Sequence, residues 1–331
     1  MSQPTTKRIG RRQGILVLGS SLAIAGLILS SLTDETTPGK GVSSPEERAI
    51  SYLGTEVPRW QTENHCYSCH NNGDGARGLM AAQKAGYSLA PGSLDNTQAW
   101  LAQPTNWDHN GGEGGFSDKV LARIQFARAL ADTKSRSRAA ASAAAAWLAR
   151  DQQPDGSWKI DDGGTGSPCT YGNALATAQA CQVIELLTPG RHAAAIERAE
   201  RWLVKQERHC VLDAVAVLFG VNKGFAEIRQ AAVEELLATQ GTDGGWGLYP
   251  VSPTEPFDTA VAMLALARCP RNYRIQQALA RGRDYLVAAQ QPDGGWIETT
   301  RPAGAVSYAQ RLSTTGWATL ALLATRARDG R

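Results

Sequence analysis

The residues whose types and spacing best suit chemistry lie together near the start of the chain, in Cys66-Tyr67-Ser68-Cys69-His70. Two thiols three positions apart, followed at once by an imidazole, form a Cys-x-x-Cys-His pentapeptide. In an exported protein that pattern is the attachment signature of haem c: Cys66 and Cys69 add to the two vinyl groups, and His70 supplies an axial nitrogen to the iron. The following Asn71-Asn72-Gly73-Asp74-Gly75 reads as a loop with room for a flat, bulky group. For the second axial ligand, Met80 at the start of an apolar helix is the first candidate and His109 the next, while His65 abuts Cys66 too closely. Three other readings stand beside haem: a redox disulfide between Cys66 and Cys69, a zinc site joining them to His70 and His65 or His109, and a helix–turn staple. The haem reading implies electron transfer or redox sensing, with an unknown redox partner.

That chemistry requires export, and the N-terminus supplies a signal for it. Ile15 to Leu32 is an 18-residue run of apolar and small residues behind the basic stretch Lys7-Arg8-Ile9-Gly10-Arg11-Arg12. A basic flank before an apolar run reads as a signal anchor over residues 1–32, or a signal peptide if cleaved, and places the body in the periplasm or outside the cell. Residues 33–44 read as a polar linker. The chain has 331 residues, 42% hydrophobic and 20% charged, which excludes a disordered or fibrous protein. Its formal charge is +3, but Lys7, Arg8, Arg11 and Arg12 account for the excess. The body is close to neutral, so no nucleic-acid partner is implied. Of the remaining cysteines, Cys169 and Cys210 fall in corresponding inter-helix regions and are the first candidates for a disulfide. Cys181 and Cys269, in small-residue helices, read as buried thiols.

The elements that must position these residues form a repeat. Gln153-Pro154-Asp155-Gly156-Ser157-Trp158, Gln240-Gly241-Thr242-Asp243-Gly244-Gly245-Trp246 and Gln291-Pro292-Asp293-Gly294-Gly295-Trp296 nearly superimpose. Each follows a pair of the type Trp147-Leu148, and each precedes a small-residue apolar helix: Asn173–Leu187, Asp258–Arg268 and Ser313–Thr325. Weaker copies begin at Tyr52, Trp100 and Trp202 and lead to helices over Ala76–Ala85, Asp118–Ala131 and Asp213–Phe219. Six units of outer helix, turn and inner helix bury a face only by packing on their neighbours. In each unit Asp-Gly is expected to end the outer helix, its Gly taking the left-handed cap. With almost no strand signal, the expected fold is all-α.

These Gln-x-x-Asp-Gly-x-Trp segments resemble the repeats of the squalene–hopene cyclase, oxidosqualene cyclase and protein prenyltransferase superfamily, over roughly residues 45–327. The resemblance implies an α/α toroid, a barrel of inner helices wrapped by outer ones. Cyclases of that superfamily start the reaction from a buried, protonated carboxyl, carried in the bacterial enzymes as Asp-x-Asp-Asp-Thr-Ala. The corresponding stretch here is Glu255-Pro256-Phe257-Asp258-Thr259-Ala260, with Phe257 in place of the proton donor. Asp258 then reads as a helix N-cap. The superfamily's cyclases also pair two toroidal domains, and this chain has room for one. Zinc positions of the prenyltransferases find no match, and Asp161-Asp162 reads as solvated. The expectation is therefore a membrane-anchored or secreted α/α toroid of about six hairpins over residues 45–331, carrying haem c at 66–70. The alternative is a haem-free toroid that binds or transforms an isoprenoid-like apolar molecule in its cavity, or serves as a structural interaction module.

Overall fold

The computed structural model describes residues 43–326, apart from 113–115, 117, 135, 161–170 and 302–303. The described residues contain twelve α-helices and no strand. Six outer helices are α1 (Pro45–Asn64), α3 (Asp95–Leu101), α5 (Arg138–Asp151), α7 (Ala193–Lys205), α9 (Ala226–Ala238) and α11 (Tyr273–Ala289). The inner helices that alternate with them are α2 (Ala76–Lys84), α4 (Lys119–Asp132), α6 (Gly172–Leu187), α8 (Val211–Gly220), α10 (Pro256–Leu266) and α12 (Tyr308–Thr325). Each inner helix packs on the next, and α12 returns to α2, so the inner layer closes into a ring. The α/α toroid of six hairpins expected from the repeats is what forms. Residues 15–32 lie outside the described residues, and no described helix is long and apolar enough to cross a membrane.

The repeat is held by one set of bonds used three times. Trp158, Trp246 and Trp296 are fully buried, and their Nε1–H groups donate to the carbonyls of Leu148, Leu236 and Leu286 at 2.7–2.8 Å. Their backbone N–H groups donate to Thr177, Thr259 and Thr315 on the following inner helix. Each Trp thereby pins the end of an outer helix to the start of an inner one. Gln152, Gln240 and Gln290 donate from Nε2 to a carbonyl of the next hairpin, at Ala195, Ala278 and Pro45 respectively. Gln290 reaches back to α1 and so closes the outer ring. The stitching glutamines are thus Gln152 and Gln290, not their neighbours Gln153 and Gln291.

The Asp-Gly pairs do not end the outer helices either. Helix α5 stops at Asp151, and Gly156 sits in the turn beyond it at φ 101°. A Cβ there, or at Gly244 or Gly294, would meet a carbonyl of the next outer helix at 2.3–2.5 Å. Glycine is needed for close approach between hairpins as well as for its backbone angle.

Candidate functional site

Among the described residues, the inner helices surround a lumen filled at one end, the floor, and bearing a cavity at the other, the mouth. The floor begins with the π-helical turn Cys69–Gly75, whose seven residues are all buried. It plugs between α4 and α12, and Gly316 permits this, because a Cβ there would lie 2.4 Å from the Asp74 carbonyl oxygen. The turn carries Asp74, fully buried, to the centre of the ring. Its carboxylate accepts from Tyr171 Oη at 2.7 and 2.8 Å, Ser313 Oγ at 2.6 Å, Gln125 Nε2 at 2.7 Å and Trp317 Nε1 at 3.1 Å. Arg77 Nη1 stands 3.6 Å away. Burial, reinforced by the Asp74 charge, raises the Tyr171 phenol well above its ordinary range, so it remains a neutral donor.

Phe257 completes the floor, its ring 5.8 Å from Tyr171 and 6.0 Å from Trp317. Asp258 is not the N-cap that its position suggested. Glu255 occupies that place without a side-chain cap bond. Asp258 and Glu255 instead each bind Arg301, both at 2.6 Å. Burial pushes the Asp258 carboxyl up to about 7 against the pull of Arg301, and its Oδ1 has no hydrogen-bond partner.

The mouth lies toward the C-terminal ends of the inner helices. It is a cavity of about 250 Å³ to which all six contribute, with Arg77, Lys84, Arg128 and Arg268 facing a single carboxylate, Asp132. Arg77 binds Asp132 at 3.0 Å, and Arg128 approaches the same oxygen at 3.6 Å. Trp317, Phe219, Leu264 and Leu320 supply apolar wall. The guanidinium of Arg77 lies over Trp317 at 4.7 Å, and that of Arg268 over Phe219 at 4.6 Å. Burial lowers Arg128 to about 10, and the neighbouring arginines add to the effect against Asp132. Burial and Arg77 likewise lower Arg268. Buried Arg77 Nη1, Arg128 Nε and Gln179 Oε1 have no hydrogen-bond partner. The mouth therefore holds cations with donor capacity unused and too little negative charge beside them, the condition in which a buried site gains from an anion.

The pentapeptide is built differently from a haem site. Cys69 and His70 are buried in the plug, where burial raises the thiol and lowers the imidazole to about 4. Tyr67 stacks on Trp100 at 4.3 Å, and Cys66 Cβ faces Gly112. Met80 is buried in α2, and His109 is exposed on a turn. Cys66 and Cys69 are both free thiols. No described group of three or more His, Cys, Asp or Glu side chains is placed to hold a metal. Cys181 and Cys269 are buried and unbridged, as expected. Cys210 donates its thiol to Asp213, while Cys169, Asp161 and Asp162 lie outside the described residues.

The fold is an α/α toroid shared with solved proteins of several kinds. It superimposes on the type II terpene cyclase MstE from Scytonema with a TM-score of 0.52, at 15% identity, over 84% of this chain and 97% of that one. For ent-copalyl diphosphate synthase from Streptomyces platensis the TM-score is 0.50, at 17% identity, over 76% and 50%. A possible member of the GH105 family from Salmonella enterica matches at 0.53 and 11% identity, over 86% and 95%. Such likenesses show the fold alone.

Sequence adds two particular relatives. A drimenyl diphosphate synthase from Streptomyces showdoensis is 32% identical over 216 residues, 59% of this chain and 39% of its own. Another, from Streptantibioticus cattleyicolor, is 38% identical over 85 residues, 26% and 15% of the two chains. The chain thus spans well under half the length of either relative. No protein-family profile matches it.

These relatives overturn the haem reading. The haem c cofactor expected at residues 66–70 and the electron-transfer function are corrected: the proteins this chain resembles are named as drimenyl diphosphate synthases and, in fold, as terpene cyclases.

Proposed function

We propose that the lumen binds an isoprenoid-like molecule by an anionic headgroup held at the mouth. The observation that carries this is the convergence of Arg77, Lys84, Arg128 and Arg268 on one cavity with a single facing carboxylate. The relatives' names, drimenyl diphosphate synthase, supply the chemical class of an isoprenoid diphosphate. Arg128 Nε offers an N–H without a hydrogen-bond partner to the headgroup, and Trp317, Leu264 and Leu320 offer apolar wall to its first carbons. Phe257 has no proton to give, so binding is the activity these residues support best.

The test is calorimetric titration with farnesyl diphosphate. Wild type is expected to bind, and Arg128→Gln to weaken binding about 10–100-fold, the value of one charge-assisted bond. Absence of binding, or an unaltered variant, would refute the reading. One observation favours a second reading, in which the molecule is also cyclised: fully buried Asp258 keeps one oxygen, Oδ1, without a hydrogen-bond partner, and burial raises its carboxyl. A new product by mass spectrometry, lost in Asp258→Asn, would establish it.

A further inference from the structure

We propose that the mouth end of the toroid docks on an anionic lipid bilayer through a rim of basic side chains, so that the lumen opens onto the membrane surface. Five segments lead from an inner helix to the next outer helix and therefore lie at the mouth end: 85–94, 133–137, 188–192, 221–225 and 267–272. Together they hold Lys134, Arg136, Arg191, Lys223, Arg268 and Arg271, and no Asp or Glu. All six basic residues are exposed. Arg136 donates to the carbonyls of Ala131 and Leu186, and Arg191 to Ser142 Oγ, so these partners are neutral and leave the charge uncompensated. The helix turns beside these segments carry both signs, Lys84 and Arg138 against Glu185 and Glu227 among them, so the excess belongs to the joining segments.

The opposite end has the reverse sign. The segments that lead from outer to inner helices, 65–75, 102–118, 152–171, 206–210, 239–255 and 290–307, contain twelve Asp and Glu against three Lys and Arg. Exposed Asp155, Glu207, Asp243 and Asp293 are among them. A body that is close to neutral in sum is thus bipolar along the axis of its ring. The mouth shares the sign of its rim: Arg268 belongs to both, and Arg77, Lys84 and Arg128 line the cavity beside it. Each basic residue near an anionic leaflet strengthens adsorption about fivefold, and the acidic end is repelled, which orients the approach. The start of the described chain selects a bilayer over other polyanions. It lies at this same end, where Arg283 donates to Glu46 in the first turn of α1 and to the Leu322 carbonyl in the last turn of α12. In sequence it is preceded by the apolar run Ile15–Leu32 and its basic flank, the composition of a segment that enters a bilayer. A membrane that takes up this run is met first by the basic end.

The test is hydrogen–deuterium exchange of the full chain reconstituted in vesicles of phosphatidylcholine, or of phosphatidylcholine with about one-third phosphatidylglycerol. Segments 133–137, 188–192 and 267–272 are expected to exchange at least about fivefold more slowly on the anionic vesicles, and segments 206–210 and 239–255 at the same rate on both. About 0.5 M salt, which shortens the reach of these charges to under about 5 Å, is expected to abolish the difference. The triple variant Lys134→Glu, Lys223→Glu, Arg271→Glu is expected to abolish it too; all three side chains are exposed and none lines the mouth. Equal exchange on the two kinds of vesicle, an unchanged difference in the variant, or slowing at the acidic end instead would overturn the docking. Slowing that needs no vesicles and grows with protein concentration would overturn it in favour of the basic end meeting the acidic end of a second copy. None of these outcomes depends on whether farnesyl diphosphate binds, so the docking and the headgroup reading fail separately.

Discussion

Asp74 draws its partners from both halves of the chain: Gln125 and Tyr171 on one side, Ser313 and Trp317 on the other. Replacing it by Asn keeps one accepting oxygen but turns the other into a donor that faces these donors and Arg77. Asp74→Asn is expected to destabilise the fold by about 3–5 kcal/mol, the usual loss when a buried pair is broken, read from the urea midpoint. Four positions earlier, His70 sets a pH dependence. Folded, it takes a proton only near 4, against an ordinary value of 6.5. Above 6.5 neither folded nor unfolded chain carries the proton, and this contribution to stability is complete. As pH falls from 6.5 toward 4 the unfolded chain binds it and the folded one does not, so stability drops by up to about 3 kcal/mol. His70→Gln is expected to flatten the melting temperature between pH 7 and 4.5; parallel profiles for the two proteins would refute this. The pentapeptide was legible because its spacing is local. Its burial was not, since that depends on partners up to 243 residues away. The run Asn-Asn-Gly-Asp-Gly, read as an open loop, was the one available sign of a tight buried turn.

The inner helices carry their charges with a common polarity. Asp118 caps α4, Asp213 and Asp258 lie in the first turns of α8 and α10, and Asp74 stands just before α2. Lys84, Arg128 and Arg268 lie toward the opposite ends of α2, α4 and α10. Acids at helix N-termini and cations near C-termini are what the helix dipole favours, and six inner helices running the same way concentrate the cations at the mouth. Between helices the Trp turns do the fastening. Trp246→Phe keeps the plate but removes the shorter of the two side-chain bonds to the Leu236 carbonyl, leaving Thr239 Oγ1 at 3.4 Å, and is expected to cost about 0.5–1.5 kcal/mol by chemical denaturation. A loss no larger than that of an exposed substitution would mean the bond is dispensable. The Trp and Asp-Gly signals were legible because three copies repeat them. The Gln-Gln doublets at 152–153 and 290–291 were not, because only the neighbouring outer helix decides which member faces it.

At the scale of the molecule, the number of hairpins followed from the spacing of the repeats, whereas the contents of the lumen did not. Arg77, Arg128 and Arg268 sit far apart in sequence and become one site only when α12 returns to α2. Closure also determines how the chain's ends relate. Arg283 donates to the Leu322 carbonyl and binds Glu46 at 2.5 Å, so the start of α1 and the last turns of α12 lie within reach of one side chain. A closed ring of hairpins has no terminal repeat to cap, and its beginning is set by where the chain happens to be cut. A circular permutant that joins residue 326 to residue 43 through a short glycine linker, and opens at the exposed turn around Gly190, keeps every pairing of the ring. It is expected to give a single cooperative melt and native near-ultraviolet circular dichroism. A molten product would mean that the order in which the hairpins are laid down, and not only their final neighbours, belongs to the information the sequence must carry.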